Sequence, residues 1–301
     1  VYKRQQIEQD LIFASSILEP TSTIKGKATK GAALALLGKA YLYQQKWSDA
    51  VSTFDQIINN GWYSLIPDYA DLFTVANENH AETVFDVQYS GLEGGSYGCL
   101  VCLEGNAGPG FQGIRQYNGP VYGDGNSYNL PTQDLYDFFP SNDPRKGYTI
   151  LDIDAFIAAQ PNPQNITYAI GAGGHTGYYN NKYIKRQGEI GLPDNDLTSP
   201  VNYRVIRYAD VLLMAAEAHF QNGNSSTAEQ YLNLVRQRAG VGVLSGISLE
   251  DIYRERRLEL SCEGHRFFDL VRTGQAANKI DNFDSGTHEL FPIPQIEIDL
   301  A

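Results

Sequence analysis

A chain of 301 residues with 42% hydrophobic side chains can bury a sizeable core, and its length alone allows one or two domains. Its 35 acidic against 23 basic side chains leave a formal charge of −12, a field that repels nucleic acid and anionic membrane surfaces and favours neutral or cationic ligands. No stretch reaches the ~18 apolar residues of a membrane span, and the pair Cys99 and Cys102 lacks the second CxxC of a zinc ribbon. These cysteines read as small residues of a glycine-rich loop. The chain opens VYKRQQIEQD, without an initiator Met or an apolar signal core, and is expected to be part of a longer protein.

Residues 26–60 read as two helices. Leu34, Leu37, Tyr41 and Leu42 recur at helical spacing, and after a break at Lys46 and Trp47 the set Ala50, Val51, Phe54, Ile57 and Ile58 does so again. Leu37-Gly38-x-x-Tyr41 with Ala50 and Phe54 matches the tetratricopeptide pattern, in which small residues let two helices approach and large ones fill the groove between them. Residues 89–128 then hold eleven glycines and six aromatics without a sustained period, and 160–200 is rich in Pro, Gly and Asn, so 89–200 is expected to be a loop-rich insertion. Loops longer than ~15 residues inside a domain are usually functional or disordered, and the aromatic content argues against disorder.

The hairpin pattern returns at 206–239, displaced by 178 residues. Leu34 lands on Leu212, Gly38 on Ala216, Tyr41 on His219, Ala50 on Ala228 and Phe54 on Leu232. Ser226-x-x-Glu229 reads as a capping box opening the second helix of this pair. A further helix is expected from the box Ser248-x-x-Asp251 through Leu249, Ile252, Tyr253 and Leu260 to a stop at Gly264, followed by a short one over about 266–272 that ends at Gly274.

Residues 254–272 hold five of the thirteen arginines, yet Glu255, Glu259, Glu263 and Asp269 nearly balance them, which a phosphate-binding patch would not do. Glu250 and Arg254 are spaced i,i+4, and Arg256 and Glu259, Arg266 and Asp269, and Asp269 and Arg272 are spaced i,i+3, so helical turns let them pair locally. Glu259 and Glu263 are poorly placed as a catalytic pair, because such carboxylates flank a substrate from opposing elements. The segment reads as architecture: Arg257, Glu259, Glu263, Arg266 and Asp269 are expected to lie largely inside, paired with one another or with backbone carbonyls. Loss of a buried partner such as Glu263 would cost about 3–5 kcal/mol.

The motif E-R-R-x-E-L-x-x-E-G-x-R-x-x-D-L-x-R, from Glu255 to Arg272, resembles the C-terminal signature of the SusD/RagB family of Bacteroidetes outer-membrane lipoproteins. RYADVLLMAAEA at 207–218 with LNLVRQRAG at 232–240, LPTQDLYDFFPSNDPRK at 130–146, the hairpin at 26–60 and FPIPQIEID at 291–299 agree in the same order. The resemblance implies a mainly α fold, with tetratricopeptide-like helical hairpins and long irregular loop insertions, in a single domain over 1–301 whose signature region is 248–301. It implies a binder, not an enzyme: a lipid-anchored protein on the extracellular face of the outer membrane that takes up oligosaccharide or another nutrient for polysaccharide utilization. Its partner would be a SusC-like, TonB-dependent transporter. The lipid anchor would belong to a segment preceding this chain, and two hairpins 178 residues apart agree with a missing part, since roughly three stacked repeats are needed for stability.

A sugar presents CH faces and hydroxyl edges, so its site needs aromatic platforms beside amide, carboxylate or guanidinium groups. The 89–128 region supplies Tyr97, Phe111, Tyr117, Tyr122 and Tyr128 interleaved with Arg115, Asn118, Asp124 and Asn126, and these are the candidate ligand-binding residues. Two other classes compete. A peptide-binding adaptor would need a free helical groove, and a glycoside hydrolase would need a catalytic constellation, whereas no H-E-x-x-H, G-x-S-x-G or P-loop appears and the five histidines are scattered. No cofactor is expected. The runs Asp194-Asn195-Asp196 and Asp281-Asn282-x-Asp284 are the candidates for a structural Ca²⁺, although short Asp/Asn runs are more often turns.

Overall fold

The computed structural model describes residues 2–92, 97–99, 104–171, 174–189 and 197–300. Helix α1 (Tyr2–Ile17) lies against α2 (Lys30–Tyr43), which pairs with α3 (Trp47–Asn60). Thr29 stops the chain from extending α2 backwards: its backbone is extended and its hydroxyl accepts from the Ala32 amide at 3.2 Å. Helix α3 ends at Gly61, whose φ of 65° is open to a residue without Cβ. A Cβ at Gly38 would stand 2.4 Å from Cε1 of Phe54, so the glycine of the repeat pattern is what admits the Phe54 ring to the groove.

Strand β1 (Thr83–Val87) leads out of this hairpin into the insertion. There the chain forms α4 (Gly108–Gln112), β2 (Ile114–Arg115), β3 (Asp124–Gly125), α5 (Gln133–Phe138), α6 (Arg145–Thr149), β4 (Ile150–Asp152), α7 (Ile153–Ala158) and β5 (Tyr178–Asn180). β2 pairs with β3 in parallel and β4 with β5 antiparallel, and around them Ile114, Leu151, Ile153, Tyr179 and Ile184 make a separate apolar cluster. The insertion therefore carries its own small core. The chain returns in β6 (Tyr203–Arg207), antiparallel to β1 with Val87 opposite Tyr203.

The second hairpin follows directly as α8 (Tyr208–Gln221) and α9 (Ser225–Arg238). Leu34 and Leu212, Gly38 and Ala216, Ala50 and Ala228, and Phe54 and Leu232 are all buried, and His219 is buried where Tyr41 is half-buried. Helix α3 also packs on α8, so one apolar core joins residues from both hairpins. Twelve of the fourteen residues of α8 are buried, which makes it the central helix. The expected box at Ser226 is corrected: Asn224 is the N-cap, with no side-chain cap bond, and Glu229 accepts instead from the Gly246 amide at 2.6 Å.

Helix α10 (Leu249–Glu259) does open on the Ser248/Asp251 capping box, but it stops at Glu259, short of the expected Gly264. Beyond it Cys262 takes a left-handed φ of 67°. The chain falls into two compact units, 1–262 and 263–301, and the signature region contributes to both. In the second, α11 (Arg266–Arg272) ends before Gly274 at φ 70°, α12 (Ala276–Lys279) and α13 (Gln295–Asp299) follow, and the Phe267 and Phe291 rings meet at 6.3 Å.

Candidate functional site

Part of the arginine segment lies in a buried ion-pair network whose partners include arginines from outside it. Glu259, fully buried at the end of α10, accepts from Arg238 at 2.5 Å and from Arg207 and Arg145 at 3.1 Å, while Lys182 donates to its carbonyl at 2.8 Å. Glu82 holds Arg207 and Arg238 from the other side at 2.6 and 2.7 Å. Glu255 joins Arg145 to Arg236 at 2.5 and 2.7 Å, and Asp143 completes the Arg145 shell at 2.7 Å. Burial alone would raise the Glu259 carboxyl, but the guanidiniums of Arg238, Arg207 and Arg145 outweigh it and hold the group below the ordinary carboxylate range.

Arg257 is a correction: it turns away from Glu259, pairs with exposed Asp134 and lies 4.0 Å over the Phe138 ring. Arg256 reaches out of the segment to Asp210 of α8 at 2.8 Å. Glu263 is buried, whereas Arg266 and Asp269 are only half-buried; Asp269 does pair with Arg272 at 2.7 Å. Sequence spacing exposes local pairs only, so the contributions of Arg145, Arg207 and Arg238 carried no signal.

In the glycine-rich region the nine candidates separate by exposure. Tyr117 and Tyr122 are corrections as platforms. Both are buried, Tyr117 donates to the Pro120 carbonyl at 2.9 Å, and Tyr122 packs edge-on against Phe156 at 5.0 Å; burial pushes both phenols up. Tyr97, Asn118, Asp124 and Tyr128 are exposed, and Phe111, Arg115 and Asn126 half-buried. Residues 93–96 and 100–103, which surround Tyr97, lie outside the described residues.

Tyr128 is the best-built of the exposed rings. It stands between Ser127 and Asn129, whose φ values of 58° and 54° are left-handed, and such backbone persists only where its surroundings hold it. They do: the amides of Asn126, Ser127 and Tyr128 donate to the carbonyls of Gly110, Gly113 and Phe111 at 3.0, 2.8 and 2.9 Å. The Ser127 hydroxyl accepts from the Arg115 amide at 3.1 Å. The result is a ring 51% exposed, tilted 38° against Phe111 at 6.2 Å.

Cys99 is disulfide-bonded, which corrects its reading as a small loop residue, and Cys102 lies outside the described residues. So does the run 194–196. The run 281–284 is an exposed turn in which Asn282 is left-handed and the Asp284 amide donates to His288 Nδ1 at 2.8 Å. Among the described residues no three His, Cys, Asp or Glu side chains converge on a metal position.

One group had no sequence signal at all. Asp86 of β1 is 3% exposed, where the ladder to β6 is irregular, and an irregular ladder re-aims side chains. Burial pushes its carboxyl up to about 6, against Arg204 and Arg207, with Glu78 adding to the rise and Thr83 opposing it. A carboxyl so raised keeps its proton longer in the folded than in the unfolded chain. The stability it contributes is therefore full below pH ~4 and is lost as pH rises through about 6, worth about 3 kcal/mol at most. Asp86→Asn should flatten the pH dependence of unfolding between pH 4 and 7, read by urea denaturation; an unchanged slope would show that another group sets it.

Paired helical hairpins carrying an irregular insertion define a tetratricopeptide-like scaffold, with the exposed Tyr128 ring on the insertion. The chain belongs to the SusD family, whose model matches residues 42–301. A SusD-like protein of Bacteroides ovatus is 30% identical over an alignment of 294 residues that covers 89% of this chain and 50% of the relative. Among solved structures, a laminarin-binding SusD-like protein is 36% identical with a TM-score of 0.90, covering 98% of this chain and 66% of the other. Surface glycan-binding protein A from Bacteroides thetaiotaomicron in complex with laminarihexaose is 28% identical with a TM-score of 0.92, covering 99% and 68%. The chain spans about half the length of the curated relative from Bacteroides ovatus.

Proposed function

We propose that the chain binds oligosaccharide, without turning it over, at the face carried by the insertion, and that the whole protein delivers it to a SusC-like transporter of the outer membrane. The observation that carries the reading is Tyr128, an exposed ring on a left-handed turn held by backbone hydrogen bonds and packed against Phe111, with Asn126 and Asp124 close by in the chain. A ring offers its face to the CH side of a sugar, and amide and carboxylate groups take the hydroxyl edge. Family membership and the names of the similar structures, one binding laminarin and one holding laminarihexaose, support this class of ligand. The name of the second of these structures, a surface glycan-binding protein, also supports a location at the cell surface.

An adaptor reading is disfavoured because α8, which would line a helical groove, is buried along most of its length. Calorimetric titration with laminarihexaose tests the proposal. Tyr128→Ala should weaken binding about fivefold, the equivalent of ~1 kcal/mol, at unchanged melting temperature. Equal affinity in the variant would move the site elsewhere, and release of shorter sugars from the ligand would overturn the reading of a binder.

A further inference from the structure

The insertion holds a second concavity apart from the Tyr128 turn. A cleft of about 510 Å³ is lined from α5, α6, β4 and α7, and none of its lining residues belongs to 124–129. That volume lies within the about 300–1,000 Å³ of clefts that take small molecules. Lys146 of α6 lines it, with Nζ 3.5 Å from the centre of the Tyr136 ring, and Tyr178 stacks on the same ring at 4.2 Å and 15°. Two such neighbours need opposite faces, so the ring carries the ammonium on one side and rests on Tyr178 with the other. Tyr178 is buried and its hydroxyl donates to Gln133 Oε1 at 3.1 Å, which anchors the stack from behind.

Lys146 is therefore positioned before any ligand arrives, and the rotamer freedom that a surface lysine loses on binding is lost already. Yet among the described residues its Nζ has no hydrogen-bond or ion-pair partner, so three donor hydrogens are left over. They are within reach of a ligand, because the residue is half-buried and Nζ keeps surface open to solvent. Ser141, exposed in the same lining, adds a hydroxyl that is equally without a partner among the described residues.

What the cleft takes follows from charge. Asp143 and Asp152 share the lining. Asp143 is neutralised by Arg145, which donates to its two oxygens at 3.0 and 2.7 Å. Asp152 caps α7 through the Ala155 amide at 3.0 Å and pairs with no cation among the described residues; burial, and then the charge of Asp152, push the Tyr136 phenol up. One unpaired cation and one unpaired carboxylate leave the cleft close to neutral, which disfavours an anion and a metal cation alike. Ammonium hydrogens, a serine hydroxyl and a carboxylate together suit a neutral ligand whose groups both donate and accept, which is the chemistry of sugar hydroxyls. Half-buried Phe156 supplies an apolar wall for a CH face.

We propose that this cleft is a second sugar-binding site, which seats a short stretch of a neutral oligosaccharide with its hydroxyl oxygens accepting from Lys146 Nζ and Ser141 Oγ. The inference rests on the reading of the chain as an oligosaccharide binder, but not on the Tyr128 turn as the place of binding.

The test is amide-resolved NMR of the 301-residue chain titrated with laminarihexaose, in wild type, Tyr128→Ala and Lys146→Met. Saturable shifts at residues 133–156 that persist in Tyr128→Ala, beside a separate set at 111–128 in wild type, are the expected result. Methionine keeps an unbranched side chain over the Tyr136 ring and removes the donors. Lys146→Met should therefore weaken the 133–156 set about tenfold and leave the 111–128 set and the melting temperature as they were. If that variant fails to fold, Ser141→Ala, which alters only an exposed hydroxyl, is read in the same way. Equal affinity at 133–156 in the folded variant, or shifts there that disappear in Tyr128→Ala, would overturn the second site and leave the first standing. Shifts at 133–156 alone would uphold the second site and move the ligand away from Tyr128. No saturable shift at either set would overturn the oligosaccharide reading and both sites with it.

Discussion

Glu259→Ala is expected to bring the protein to the edge of unfolding at neutral pH. The carboxylate is fully buried and accepts from three guanidiniums, so its removal leaves Arg145, Arg207 and Arg238 facing one another across a space that water does not reach freely. Losing one partner of a buried pair costs about 3–5 kcal/mol, and here one partner serves three; whole domains are stable by only about 5–15 kcal/mol. Acid should act through the same group. Its folded pKa is depressed, so the stability it contributes is present above its unfolded value near 4.5 and is lost as pH falls below that. Urea titration of wild type and variant, at pH 7 and again near pH 4, measures both effects. A cost under about 1 kcal/mol at pH 7 would mean that the remaining acids absorb the arginines and that Glu259 is no hub.

Gly125→Ala is expected to remove sugar binding more completely than loss of the Tyr128 ring itself. A Cβ at Gly125 would come within 2.5 Å of both Cα and the carbonyl carbon of Gly113. Both are backbone atoms that no rotamer can move, so β2 and β3 must part. The hydrogen bonds from Asn126, Ser127 and Tyr128 back to 110–113 go with them, and with those the strained turn. Overpacking of this kind costs about 1–3 kcal/mol. Because the strain is local, the expected signature is an affinity for laminarihexaose reduced about tenfold or more with a modest fall in melting temperature. Wild-type affinity in the variant would detach the site from this turn.

The hairpins were readable because their packing task is periodic: Leu34 and Leu212, or Ala50 and Ala228, recur at the spacing of a helix face, and Gly38 marks where Phe54 must enter. The hub was half readable. Glu259 stood out inside a charged helix, but its partners come from residues 145, 182, 207 and 238, and nothing local couples those positions to it. The proposed site was legible as a region and not as residues. Tyr117, Tyr122 and Tyr128 are the same side chain in similar glycine-rich surroundings, and what separates them is that Ser127 and Asn129 go left-handed while Tyr117 and Tyr122 close over Phe156 and the rest of a small core. Asp86 could not be singled out, since its meaning depends on which of its oxygens finds a partner.

The facing ends of β1 and β6 have a consequence for how such proteins diversify. Val87 and Tyr203 stand opposite each other, so everything between them leaves and re-enters the helical frame through one narrow doorway. A sequence of quite different length and ligand preference could be spliced in there with no change to the spacing of the helices. The splice has one condition. Arg145 and Lys182, which belong to the inserted stretch, are two of the four cations that neutralise and cap Glu259, while Arg207 and Arg238 belong to the frame. A transplanted insertion must therefore bring its own arginine and lysine to the end of α10, or the frame that receives it is left with an acid it cannot fully satisfy.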